Sequence, residues 1–361
     1  MTTMARIAKS LVFALAALAL AGAAATPALA KKKPPPPPVV VLPPPPEPEI
    51  PVGPPVLAGY VVDAASAFAT YMRTAAAMSA TFTDGASVSS ALRVGAGAEQ
   101  HQLQQGLVAY AAIVALQDPA FVEAVRGFAK HASTRDLMVK YILDDPNYVM
   151  TLNGHDSASG RVAAALGSQA LRLNSAAELI KQESLNIQLK AAWSKKPVPD
   201  PMGRLAQIKQ LSTTPIIGAD DLKAQLTSAA AGSGPLPADE APATPAYTQA
   251  VARGLAVAAL AVLGKAGDGD VGALTALLTD DTASYCFNMS KLNLYQCLSV
   301  AKPYYEDIYC LGLHAMGDIG RCVMSSVGMA EPVAIIPVAT IPTKAAHPKR
   351  KGPPPRRRAR K

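Results

Sequence analysis

Three patterns are missing from this 361-residue chain, and each absence excludes a class. Runs of Val and Ile alternating with polar residues are nearly absent, which excludes a sheet-based fold. No Cys-x-x-Cys pair occurs, which argues against a short-spaced zinc module and a thioredoxin-like redox centre. Beyond the first thirty residues no apolar run approaches the roughly twenty residues of a bilayer span. The nearest candidate, "GLAVAALAVL" at 254–263, is about half that length and is read as a buried helix.

What is present begins with a leader. "MTTMARIAKSLVFALAALALAGAAATPALA" places Arg6 and Lys9 ahead of an apolar run at 11–21 and ends in small residues, with Ala28 and Ala30 at −3 and −1. The segment 1–30 is therefore expected to be a signal peptide cut near Ala30, giving a periplasmic or extracellular chain without a transmembrane segment. A lipoprotein would need a cysteine just after the apolar run, and Gly22 stands there instead.

Next comes a proline-rich stretch, 31–55, in which 13 of the 22 residues from Pro34 to Pro55 are proline. Such a run extends as polyproline II, so a disordered, stiff spacer is expected. At the other end, the tail 336–361 carries nine Lys or Arg after Thr343 and no acid, among them Lys349, Arg350, Lys351, Arg356, Arg357, Arg358, Arg360 and Lys361. The formal charge of +8 thus belongs to the ends; residues 34–343 sum to −6. Basic residues on a proline-rich segment without interleaved aromatics do not indicate a nucleic-acid groove. The expected partner is an anionic envelope component, namely a lipid headgroup, lipopolysaccharide or a wall polymer, with a further protein partner possible.

Between the ends the expected class is all-α. Asp118-Pro119 and Asp145-Pro146 set an acceptor before proline at the first helical position. In 161–193, Leu166, Leu173, Ile180 and Ile187 recur every seven residues, with Ala170, Ala177, Ser184 and Ala191 four after each. That alternation predicts one long helix at the centre of a bundle, ended by Lys195, Lys196 and Pro197. "HDSASG" at 155–160 reads as the loop before it, with Ser159 as a cap. The stretch 231–245, "AGSGPLPADEAPATP", lacks apolar periodicity and is expected to divide a helical domain, 56–230, from a smaller helical subdomain, 246–335.

All four cysteines lie in that subdomain, and export favours two disulfides. Cys297 and Cys310 are centred on Pro303, as are Cys286 and Cys322, so two antiparallel helices would form nested bridges, 286 to 322 and 297 to 310. Neighbour pairing, 286 to 297 and 310 to 322, stays open. Glu306, Cys310, His314 and Asp318 step by four, and His314 with Asp318 has the form of an oriented base. A polar helix face explains the same spacing. Five of the eleven tyrosines, Tyr285, Tyr295, Tyr304, Tyr305 and Tyr309, cover the bridges or present a stacking surface for sugars.

The segment "LYQCLSVAKPYYEDIYCLGLHAM" resembles a stretch in exported alphaproteobacterial proteins of a family without assigned function. The resemblance implies export and gives no role to any residue. The expected function is a non-enzymatic envelope protein without metal or cofactor. The alternative is a wall polysaccharide or peptide hydrolase using Glu306 with His314 or Asp307, although adjacent carboxylates would point apart on a helix and leave the second acid unnamed.

Overall fold

Small side chains decide how this chain packs. The computed structural model describes residues 45–234, 236 and 244–330, and among these it contains thirteen α-helices and no β-strand. In order they are α1 (Gly59–Ala76), α2 (Gly85–Ala96), α3 (Gln100–Ala115), α4 (Pro119–Ala129), α5 (Ala132–Asp144), α6 (His155–Asn186) and α7 (Pro201–Leu211). There follow α8 (Asp220–Ala230), α9 (Gln249–Val262), α10 (Val271–Leu277), α11 (Asp281–Val300), α12 (Tyr304–Cys310) and α13 (Ile319–Ser326). Asp84, Asp118, Asp200, Thr248 and Asp280 each accept a backbone N–H in the first turn of the helix that follows, meeting donors that no helical carbonyl reaches.

Helix α9 is buried over its whole length except at Gln249 and Arg253. It lies against α3 so closely that a Cβ on Gly254 would stand 2.6 Å from the Ala111 Cβ. On its other side α3 meets α1 through Gly106, where a Cβ would stand 2.5 Å from the Ala64 carbonyl oxygen. Among the described residues no single helix is long and apolar enough to cross a membrane; α3 and α4 reach that length only together, across an 87° bend.

Helix α6 packs against α1, α3, α9 and the cysteine-bearing hairpin, the central place that its periodicity predicts. Leu166, Ala170, Leu173, Ala177, Ile180 and Ser184 are buried. The seam stops there: α6 ends at Asn186, a 3-10 turn follows at Gln188–Lys190, and Ile187 is 63% exposed. At its start, "HDSASG" is helix, not loop, because Gly154 takes φ +81° in contact with the Phe121 backbone and launches α6 directly. Ser159 is therefore no cap; it is buried, donates to the Ala246 carbonyl and accepts from the Ala246 N–H.

Two further expectations are corrected. Among the described residues, helices from both sides of 231–245 enter one hydrophobic core, so they form one domain and not a domain with a separate subdomain. The reason is α9, which has almost no polar face and is covered from the other side by α3, α4, α5, α6 and the 3-10 turn at Pro146–Thr151. The end of the proline-rich stretch is also ordered. Ile50 N–H donates to Lys130 O at 2.6 Å, Val56 N–H to Ala261 O at 3.2 Å, and the Glu47 carboxylate accepts from Ser133. The leader, residues 31–44 and the basic tail lie outside the described residues.

Candidate functional site

Helix α11 turns at Ala301, Lys302 and Pro303 into a second arm built of α12, a π-helical stretch (Leu311–Asp318) and α13. Cys286 bonds to Cys322 and Cys297 to Cys310, each with Cα atoms 5.7 Å apart, so the two bridges are nested about the corner. The corner is held from outside as well: Val198 N–H donates to Lys302 O at 2.8 Å and Tyr305 N–H to Ser194 O at 3.1 Å.

Glu306 belongs to this corner. Its carboxylate accepts from the Lys302 N–H at 2.8 Å and from the Tyr305 hydroxyl at 3.3 Å. Asp307, its neighbour, turns inward to 1% exposure and pairs with Arg204 of α7, which also donates to the Leu298 and Ala301 carbonyls. Burial pushes the Asp307 carboxyl up to about 6 even though the Arg204 guanidinium pulls the other way. The two adjacent carboxylates thus point to different partners, as helical geometry requires.

Along the second arm the structure does join His314 to Asp318, with Nδ1 2.9 Å from Oδ2. Asp318 also accepts from Asn293 of α11 at 3.2 Å and from Arg321. Burial acts to raise its pKa, but the bonds from His314 and Asn293 and the Arg321 charge outweigh this and hold the carboxyl below its ordinary value. An imidazole oriented by a carboxylate is the pattern of a general base. Here the carboxylate is shared by three side chains, and Glu306 makes its bonds at the corner instead of joining them.

The π-helical stretch was not visible in the sequence. Widening the helix frees carbonyls, and side chains from elsewhere take them: the Ser290 hydroxyl donates to His314 O at 2.9 Å and the Tyr71 hydroxyl to Ala315 O at 2.7 Å. Tyr71 is buried, and burial raises its phenol far above the ordinary range. Arg204, Asn293 and Tyr71 were likewise missed. "DPMGR" marks a helix start with Asp200 as cap, but nothing near Arg204 names a partner 103 positions away.

Two of the five tyrosines pack against other elements. Tyr304 meets Trp193 with ring centroids 6.1 Å apart and fills the space over Gly85, while Tyr295 lies under the Lys209 ammonium at 5.6 Å. Tyr285 is 68% exposed. Among the described residues every cysteine is in a disulfide and no group of three or more His, Cys, Asp or Glu is placed to hold a metal. A cavity of about 820 Å³ between α1, α6 and α8, and a smaller one of about 380 Å³ beside Arg204 and Tyr304, touch neither Glu306 nor His314. Compared with protein-family models, curated proteins and solved structures, the chain matches none of them.

Proposed function

We propose that the chain is an exported, non-enzymatic binding protein of the cell envelope, with a disulfide-braced helical body brought to an anionic surface by its basic tail. The observation that carries this reading is the pairing of all four cysteines within one hairpin, since such bridges persist in oxidising compartments outside the cytoplasm. The leader at 1–30 and the absence of a membrane-length helix among the described residues agree with it. The hydrolase alternative is weakened, because Glu306 and Asp307 are engaged by Lys302 N–H and Arg204 and do not flank a cleft together.

The test has two arms. Mass spectrometry of exported protein should show a chain beginning near Lys31 and lighter by four hydrogens than its reduced form; free thiols would overturn the compartment. The mature full-length protein should bind anionic vesicles, weaken as salt shortens the Debye length from about 10 Å at 0.1 M to about 3 Å at 1 M, and ignore neutral vesicles. Glutamine at Arg356, Arg357, Arg358 and Arg360 should reduce that binding at least tenfold, in line with up to about 1 kcal/mol per cation near a charged surface. Binding that ignores both salt and these substitutions would remove the tail from the mechanism.

A further inference from the structure

The cavity between α1, α6 and α8 has walls of two kinds. Its floor is hydrocarbon: Met72 and Ala76 of α1, Ala176 and Leu179 of α6, Leu222 and Leu226 of α8. Its rim carries the guanidinium groups of Arg73, on α1, and Arg172, on α6. Those two cations are not equivalent. Arg73 is held by both oxygens of Asp221, at 2.5 and 3.0 Å. Arg172 donates only to the Ser168 hydroxyl, at 2.5 Å, and no carboxylate among the described residues pairs with it.

The apolar wall is also open to water. Leu171 is 41% and Leu179 51% exposed on a helix whose opposite face forms the centre of the core. Apolar surface gathered in a concavity of about 820 Å³ matches the size range of small-molecule sites, roughly 300 to 1,000 Å³. An apolar floor under a cation without a counter-charge among the described residues fits one ligand chemistry best: a hydrocarbon chain ending in a negative group.

We propose that this cavity binds a single-chain anionic amphiphile, a long-chain carboxylate or its close relative, with the chain on Ala176, Leu179 and Leu222 and the head on Arg172. The proposal names a ligand for the binding body described above and rests on that reading, but it uses different residues from the tail. Measuring vesicle association beside it keeps the two separable. Loss of amphiphile binding with vesicle binding intact concerns the cavity alone, and the reverse concerns the tail alone.

A rival occupant comes from the chain itself. Met329 packs on Gly167, one residue from the cavity-lining Ser168, and the residues that follow Ala330 read "EPVAIIPVATIP". That stretch is apolar apart from Glu331 and Thr340, and twelve residues reach up to about 40 Å when extended.

The experiment uses the mature full-length protein, with laurate and dodecanol as probes below their aggregation concentrations, read by titration calorimetry and native mass spectrometry. Saturable binding of one laurate per chain is expected, tighter than dodecanol. Arg172→Gln should weaken laurate about tenfold and leave dodecanol unchanged; Leu179→Asp should weaken both at least tenfold. Both side chains are exposed, so melting curves should match wild type and exclude misfolding as the cause. Absence of saturable binding, or variants that bind like wild type, would overturn the proposal. So would laurate binding that emerges only after Ile335→Ser and Ile336→Ser, since the cavity would then belong to the chain's own segment.

Discussion

Two parts of the same core are held together by opposite means. In the α1, α3 and α9 group, glycine and alanine let backbones approach until a single added methyl would collide, as at Gly106 and Gly254. In the α11 to α13 hairpin, the arms are tied by two disulfides and the Ser290 hydroxyl, and are fastened to other helices by the Arg204 and Asp307 pair and the Tyr71 hydroxyl. Close packing gains many weak contacts without any specific partner. The hairpin instead depends on a few named bonds, so it should fail one bond at a time where the alanine group fails by crowding.

The largest effect should come from the outer bridge. Cys286 and Cys322 are 36 positions apart, and Cys297 and Cys310 are 13 apart. By chain entropy the outer bridge stabilises by about 4 kcal/mol and the inner by about 3. Replacing the outer pair with serine should therefore lower the unfolding free energy in urea more than replacing the inner pair. Equal or reversed losses would mean that native packing, not closure of the chain, sets what each bridge contributes.

Crowding should come next. Alanine normally favours a helix interior over glycine by up to about 1 kcal/mol, but at Gly106 its Cβ would meet the Ala64 carbonyl oxygen at 2.5 Å, and backbone cannot give way cheaply. Overpacking of this kind costs about 1 to 3 kcal/mol, so Gly106→Ala should destabilise by about 1 net. Gly127 of α4 has nothing within 4 Å of the same position, and Gly127→Ala should instead stabilise by up to about 1 kcal/mol. Were both to stabilise, the alanine group would be looser than its geometry indicates.

The difference between the two parts also explains what was legible in the sequence. The hairpin's pairing could be favoured beforehand because both cysteine pairs centre on Pro303, a local symmetry that antiparallel helices turn into distance. The α6 seam could be read as far as Ser184 because heptad spacing is local too, and it failed at Ile187 because the helix unwinds where no neighbour remains to cover it. Which helix covers α9 was not legible. Alanine faces fit any other small-residue face, so the sequence suggested two domains where the chain builds one core. In the candidate site, the spacing of four predicted the His314 and Asp318 contact, whereas Arg204, Tyr71 and Asn293 arrive from distant segments with no local signal.

The effect that depends on pH falls where the two parts meet. Lys291 of α11 reaches out of the hairpin to the end of α2, is 5% exposed, and donates to Ala96 O at 2.8 Å. That carbonyl also accepts from the Ser212 hydroxyl at 3.1 Å, so it keeps a partner if the lysine is removed. Burial brings the Lys291 ammonium down to about 7, opposed only weakly by the Glu99 charge. The folded pKa therefore lies below the ordinary value of 10.5. Below pH 7 both folded and unfolded chains hold this proton, and the burial penalty is constant and at its largest. Between pH 7 and about 10 the unfolded chain holds more protons, so the stability of the wild type should rise with pH, by up to about 1.4 kcal/mol per unit. Lys291→Met removes the titrating group and keeps the volume. The variant should be more stable than wild type at pH 6, and the gap should narrow as pH rises towards 10. Urea unfolding of both proteins across that range reads the gap directly. A variant that is less stable at pH 6, with parallel curves to pH 10, would show that the bond to Ala96 outweighs the burial penalty and that Lys291 is one more of the hairpin's named bonds.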